Sequence, residues 1–317
     1  MALIFGHGRT TVWGTRWADE IHVGGRSAAY GQSGNDRIFG DDAANHLVGQ
    51  TGNDSLFGRG GDDFLDGGRG NDHLYGEAGN DLIWGGAGND FLVGGSGNDR
   101  VRGDAGNDTI VHDVRVAGLL PAGTDEYTGG AGADTLIINV RGQTETYGAA
   151  GPEIRIDDHG NGVLAYTNGP IESDFVRAAT FTGIEVFHLV DDSNPLIFRG
   201  GALDATVIGG AGDDVFEGGE GDETFTGLAG NDQFLVLWRP GLQLGHDVIH
   251  GFNPVEDSLG KNSFDEDYSG PDPLAISAVE RGGHTFYTFT DANTHAIVGT
   301  LDVDAVGLPP IGDYLMG

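Results

Sequence analysis

Between Gly31 and Val111 the chain repeats itself every nine residues, nine times in succession and without an insertion. The copies read GQSGNDRIF, GDDAANHLV, GQTGNDSLF, GRGGDDFLD, GGRGNDHLY, GEAGNDLIW, GGAGNDFLV, GGSGNDRVR and GDAGNDTIV. One more, GGAGADTLI, begins at Gly129, and GGAGDDVFE, GGEGDETFT and GLAGNDQFL run from Gly209 to Leu235. A short period repeated this often marks a solenoid, in which each unit buries its apolar face against its neighbours. The pattern is G-G-x-G-N/D-D-x-U-x, with U a large apolar residue. Positions 1 to 6 put glycine where a turn needs positive φ or close backbone approach. Positions 7 to 9 predict a short strand whose position 8 points inward. The candidate core is therefore Ile38, Leu47, Leu56, Leu65, Leu74, Ile83, Leu92, Val101 and Ile110. Two units close a coil of eighteen residues, so turns of alternate repeats stack on one edge about 4.8 Å apart.

Composition narrows the alternatives. Glycine supplies 59 of 317 residues, but not every third one, and ten prolines are too few for collagen. Forty-nine acidic residues face sixteen basic ones, giving a formal charge of -33, with Lys261 the only lysine. Nucleic-acid binding by charge is excluded, because phosphate contacts need clustered Lys and Arg. So high a charge usually means disorder, yet 38% hydrophobic and 9% aromatic residues exceed what an acidic tail carries. The charge calls for neutralisation, and multivalent cations are the natural agent. With no cysteine there is neither a disulfide nor a thiolate metal site. No segment approaches the roughly 18 apolar residues of a membrane span, and the Ala2 to Phe5 run is too short for a secretory leader.

The acids fall at one phase. Position 6 stacks Asp36, Asp54, Asp72, Asp90 and Asp108 on one edge, and Asn45, Asp63, Asp81 and Asp99 on the other. Aspartate is an ordinary turn former, but turns alone do not require it at one fixed position. The frame slips after Val111; Gly123-Thr124-Asp125 then fits positions 4 to 6 of an enlarged turn, putting Asp125 over Asp99 and Asp134 over Asp108. In the later block Asp214 pairs with Asp232, with Glu223 at the intervening turn.

These nonapeptides closely resemble the hemolysin-type calcium-binding (RTX) repeat family over about residues 31–137 and 200–259. The resemblance implies an all-β, calcium-bound parallel β-roll, secreted through a type I apparatus, with several Ca²⁺ ions as its cofactor. It makes Asp36, Asp54, Asp63, Asp72, Asp81, Asp90, Asp99, Asp108, Asp125, Asp134, Asp214 and Asp232 candidate metal ligands. Their turns contribute Asn35, Asn53, Asp62, Asn71, Asn80, Asn89, Asn98 and Asn107 at position 5. Position 4 adds Gly34, Gly52, Gly61, Gly70, Gly79, Gly88, Gly97 and Gly106, whose carbonyls can complete the ligand set. A Ca²⁺–O bond of about 2.4 Å is half the sheet spacing, so an ion fits midway between stacked carboxylates. Counting pairs gives about 7–10 ions, with the Asn45/Asp63 position weak or empty. The segment Asp247-Val-Ile-His-Gly-Phe252 with Asp257-Ser-Leu259 is similar to the segment C-terminal to the repeats in serralysin-like and other type I-secreted proteins. There such acids help bind the last calcium, which adds Asp247 and Asp257. The ending Asp313-Tyr-Leu-Met316-Gly317 resembles an uncleaved type I secretion signal.

The expected organisation is an N-terminal cap (1–30), a first β-roll (31–137), a β-rich continuation or insertion (138–200), a second repeat block with its cap motif (201–259), and a hairpin with the secretion signal (260–317). In the cap, Gly14 to His22 reads as one imperfect repeat with Asp19 and Ile21 in phase. The stretches Glu153 to Asp157 and Phe181 to Leu189 each predict a strand, and 285–290 with 296–301 a hairpin. No HExxH, G-x-S-x-G or G-x-x-x-x-G-K-[ST] motif occurs, so the leading expectation is a non-enzymatic structural, adhesion or interaction module. The alternative is a carbohydrate lyase or epimerase using Arg155, Asp157, His159 and Arg177, or a carbohydrate-binding module. For the latter, Phe39, Phe57, Tyr75, Val93 and Val111 at position 9 predict an outward apolar ladder that can meet a cell-surface or matrix polysaccharide.

Overall fold

Alternation of inward apolar and outward polar residues, with glycine wherever the backbone must turn, leaves the chain only strands and tight turns. The computed structural model describes residues 1–8, 10–113, 124–139, 152–157, 159–167, 175–190, 195–237, 243–262, 274–308 and 311–313. Among these there are strands and turns and no helix. The chain divides into two compact units, Met1–Thr144 with Val176–Val186, and Glu145–Phe175 with Phe187–Gly317.

In the first unit two parallel sheets face each other. One takes Leu3–His7, Glu20–Gly24, Arg37–Phe39, Ser55–Gly60, His73–Ala78, Phe91–Ser96, Thr109–Asp113 and Thr135–Asn139 in that order. The other takes Thr11–Trp13, Ala28–Ser33, His46–Thr51, Phe64–Arg69, Leu82–Ala87, Arg100–Ala105, Asp125–Ala131 and Phe175–Thr182. Register steps by eighteen residues, as in Leu56↔Leu74 and Leu74↔Leu92, the expected β-roll. All nine position-8 residues from Ile38 to Ile110 are at most 2% exposed. Each such aliphatic side chain contributes about 1.5–3 kcal/mol of burial.

Apart from Arg37–Phe39, the strands from His46 to Asp113 are longer than the expected three residues. Ser55–Gly60, for example, runs through positions 7 to 9 and on over positions 1 to 3 of the next copy. The turn is only Gly-Asn-Asp, positions 4 to 6. Glycine at position 1 is an inward strand residue, and position 2 takes a positive φ even where it is Gln50 (78°) or Glu77 (74°). The expected single strand from Phe181 to Leu189 is likewise two, Phe175–Thr182 and Val186–Val190, broken at Gly183 (φ 60°). Segment 138–200 lies partly outside the described residues.

In the second unit Ile197–Arg199, Val215–Gly218, Gln233–Leu237, Ser258–Asn262 and Gly312–Asp313 pair in parallel. The antiparallel hairpin Pro152–Ile156/Asn161–Thr167 joins the edge at Ile197–Arg199. The facing sheet runs Thr206–Ile208, Thr224–Thr226, His246–His250 and Ile297–Val303, then antiparallel through His284–Asp291 and Leu274–Arg281. The hairpin expected at 285–301 is thus two strands of a three-stranded meander. Phenylalanine replaces leucine inside: Phe198, Phe216, Phe225 and Phe234 are nearly fully buried, with Phe216 and Phe234 stacked at 5.0 Å.

Candidate metal centre

Stacked turns bring the position-6 carboxylates into columns inside the sheet edges. On one edge Oδ1 of each aspartate accepts the backbone N–H of its counterpart one coil earlier. The chain of bonds is Asp36 N–H to Asp54 (2.7 Å), Asp54 to Asp72 (2.7 Å), Asp72 to Asp90 (2.8 Å), Asp90 to Asp108 (2.9 Å) and Asp108 to Asp134 (2.8 Å). On the other edge Asn45, Asp63, Asp81, Asp99 and Asp125 are linked the same way at 2.7–2.9 Å. In the second unit Asp214 is linked to Asp232 (2.9 Å), Asp232 to Asp257 (3.0 Å) and Glu223 to Asp247 (3.1 Å).

Two further acids extend the first column beyond the sequence-based set. Asp19 gives its N–H to Asp36 (2.7 Å), and Glu185 accepts the N–H of Asp134 (2.8 Å). Asp19 was in phase; Glu185 was hidden because no glycine framework surrounds it. The available signal was an acid two residues before the buried Phe187, the position-6 to position-8 spacing.

Position 5 does different work. The Oδ1 atoms of Asn35, Asn53, Asn71 and Asn89 accept the N–H of the next turn up at 2.8–3.0 Å, as do Asp62, Asn80 and Asn98 opposite. Asn107 serves Ala133 (3.0 Å). These side chains are spent on the turn ladder and lie exposed or half-exposed. Glycine at position 4 is required by its φ, 91–141° from Gly52 through Gly106 and 109° at Gly34. At Gly70 a Cβ would also strike the carbonyl oxygen of Gly52.

The carboxylates' second oxygens decide the chemistry. Oδ2 of Asp36, Asp54, Asp63, Asp72, Asp81, Asp90, Asp99, Asp108 and Asp134 is buried and meets no hydrogen-bond donor. At position 1 this oxygen converges with a carbonyl from the next coil. A Cβ on Gly85 would lie 2.5 Å from Asp90 Oδ2 and 2.8 Å from Gly103 O. Buried oxygens of this kind cost free energy unless something positive meets them, and an all-oxygen, carboxylate-plus-carbonyl set suits a hard cation such as Ca²⁺. The residues present fit the ion. Burial pushes Asp54, Asp63, Asp72, Asp81 and Asp99 up to about 7, and Asp36, Asp90, Asp108 and Asp232 to about 6. The backbone N–H bonds oppose that rise, and neighbouring carboxylates add to it.

A family model for the RTX calcium-binding nonapeptide repeat matches residues 30–65, 39–74, 57–92, 75–110, 122–137 and 199–234. Both blocks are RTX calcium-binding repeats. No curated protein gives a significant match to the chain. Outside the regular RTX positions the pattern changes. Asn45 uses its amide, Nδ2 donating to Gly25 O (2.6 Å) while Oδ1 accepts from Asp41 (2.8 Å). Asp214 Oδ2 accepts from Gly210 (2.9 Å), and Asp257 Oδ2 from Asn253 (2.7 Å). Burial beside Asp247 holds the Glu223 carboxyl far above its ordinary range.

Two residues of the enzymatic alternative already hold partners. Arg155 Nε contacts Glu153 (2.5 Å), and Asp157 Oδ1 accepts from His159 and Asn161, forming the hairpin turn. Arg177 belongs to the other unit. The aromatic ladder is real and longer than expected, running Phe5, His22, Phe39, Phe57, Tyr75 at centroid spacings of 4.7–5.4 Å. Its rings lie 3–21° from parallel, so their faces are spent on each other.

Proposed function

We propose that the chain is a secreted calcium-binding protein that folds on meeting extracellular Ca²⁺ and then serves as a structural, adhesion or interaction module. The observation that carries this reading is the set of nine buried aspartate Oδ2 atoms without a donor. Position-6 carboxylates, with the facing glycine carbonyls, hold the ions. Bound calcium supplies the positive charge that turns repulsion within each column into attraction. Like charges at such spacing repel by roughly 1 kcal/mol per pair in water and several times that when partly buried, against a core of one aliphatic residue per nine. Ligand binding adds directly to folding free energy. Low-calcium cytosol then keeps the chain unfolded and able to thread a type I channel; residues 314–317, where the signal-like ending falls, lie outside the described residues. The parallel stacking of the aromatic ladder supports mutual packing more than a sugar platform.

Circular dichroism during a calcium titration tests the switch. The expected result is a cooperative gain of strand signal at millimolar calcium, reversed by chelator; full strand signal in excess chelator at pH 8 would contradict it.

A further inference from the structure

Regular coils leave an empty notch at position 1, where glycine faces Asp Oδ2 of its own repeat. The coil that reaches His112 fills that notch with an imidazole. His112 stands nine residues after Gly103, where the frame calls for glycine, and is 2% exposed. After the inserted residues, Tyr127 takes position 8, in register with Val101, and is also 2% exposed. Both departures converge on one oxygen. Tyr127 Oη donates to Asp125 Oδ2 at 2.8 Å, and His112 Nδ1 lies 2.7 Å from Tyr127 Oη and 3.3 Å from Asp125 Oδ2. With the proton on Nδ1, the relay runs from His112 to Tyr127 to Asp125, a tautomer assigned from the network. Asp125 still accepts the Asp99 N–H on Oδ1 (2.9 Å). Its Oδ2, unlike those of Asp99, Asp108 and Asp134, has a donor already.

Resting on the calcium reading of position 6, we infer that His112 and Tyr127 replace the metal at Asp125, making this coil a metal-free closure within the calcium-binding stack. A carboxylate whose second oxygen is held by a buried hydroxyl and imidazole gains little from an ion, and the imidazole occupies the space that position-1 glycine leaves open elsewhere. In the sequence, inserted residues interrupt the repeat frame at this coil. A fixed internal lock there holds register across the insertion without depending on calcium.

The test is an ion count by native mass spectrometry of the full chain in saturating calcium. Asp81→Asn, at a regular position, should lower the count by at least one, whereas Asp125→Asn should leave it unchanged. Restoring the repeat pattern with His112→Gly and Tyr127→Leu should add one ion, and adding Asp125→Asn to that pair should remove it again. An ion lost on Asp125→Asn alone, or none gained by the restored repeat when it folds, overturns the inference. Should the restored variant fail to fold, the Asp125→Asn and Asp81→Asn counts decide. If Asp81→Asn loses no ion, the calcium reading of position 6 falls first, and the inference with it.

Discussion

A buried carboxylate without a donor pulls stability in opposite directions with and without metal. Asp72 is fully buried, and burial raises its carboxyl to about 7 from 3.8. At pH 8, above both values, the metal-free fold bears the whole cost of that charge. Asp72→Asn should therefore stabilise the metal-free fold by on the order of 2–4 kcal/mol at pH 8. It should also weaken calcium binding, because a neutral amide oxygen is the poorer ligand. Denaturant melts in chelator and calcium titrations of the same variant check both halves; a loss of stability in chelator would contradict the account. Glu77 makes a smaller point. Its φ of 74° costs a side chain about 1–2 kcal/mol, partly offset by the entropy that glycine loses on folding. Glu77→Gly should raise stability by about 0.5–1 kcal/mol, seen as a modest rise in Tm with calcium bound.

Within one coil, strand and metal position share the same glycine. Gly85 is an inward strand residue, and any Cβ there meets Asp90 Oδ2 and Gly103 O. Gly103 O is backbone, and the Asp90 carboxylate is pinned through Oδ1 by the Asp72 N–H, so neither retreats as a flexible side chain would. Gly85→Ala should destabilise by about 1–3 kcal/mol and lose calcium in the same step, measured by paired thermal melts and ion counts; a stable variant with a full complement of ions would refute the shared notch. This coupling also explains what was legible in the sequence. Positions 6 and 8 stood out because one residue type recurs there at a fixed phase, and burial of Ile38 through Ile110 is the direct consequence. Strand length did not, since glycine at positions 1 to 3 reads equally as turn or as strand with no room for a side chain. Glu185 was missed for lack of surrounding glycines. The bond network at Asp125 was out of reach because an insertion separates His112 from the turn it completes.

Over the whole molecule the same carboxyls set the response to pH. Asp36, Asp54, Asp63, Asp72, Asp81, Asp90, Asp99 and Asp108 titrate near 6–7 in the fold against 3.8 when unfolded, burial being the main cause. The metal-free fold thus binds more protons than the unfolded chain between about pH 4 and 7, so its stability is greatest near pH 4 and falls as pH rises through 7. Self-repulsion from a formal charge of -33 at pH 7 acts in the same sense. Calcium reverses the dependence, since the ion binds the carboxylate form and competes with the proton. In chelator, strand signal should therefore be strongest at pH 4–5 and lost by pH 8. In millimolar calcium it should persist at pH 8, and the calcium midpoint should rise as pH falls below 6. Circular dichroism over a grid of pH and calcium separates the two branches. Strand content in chelator that is the same at pH 8 as at pH 4.5 would mean that the columns are neutralised by something other than protons or metal.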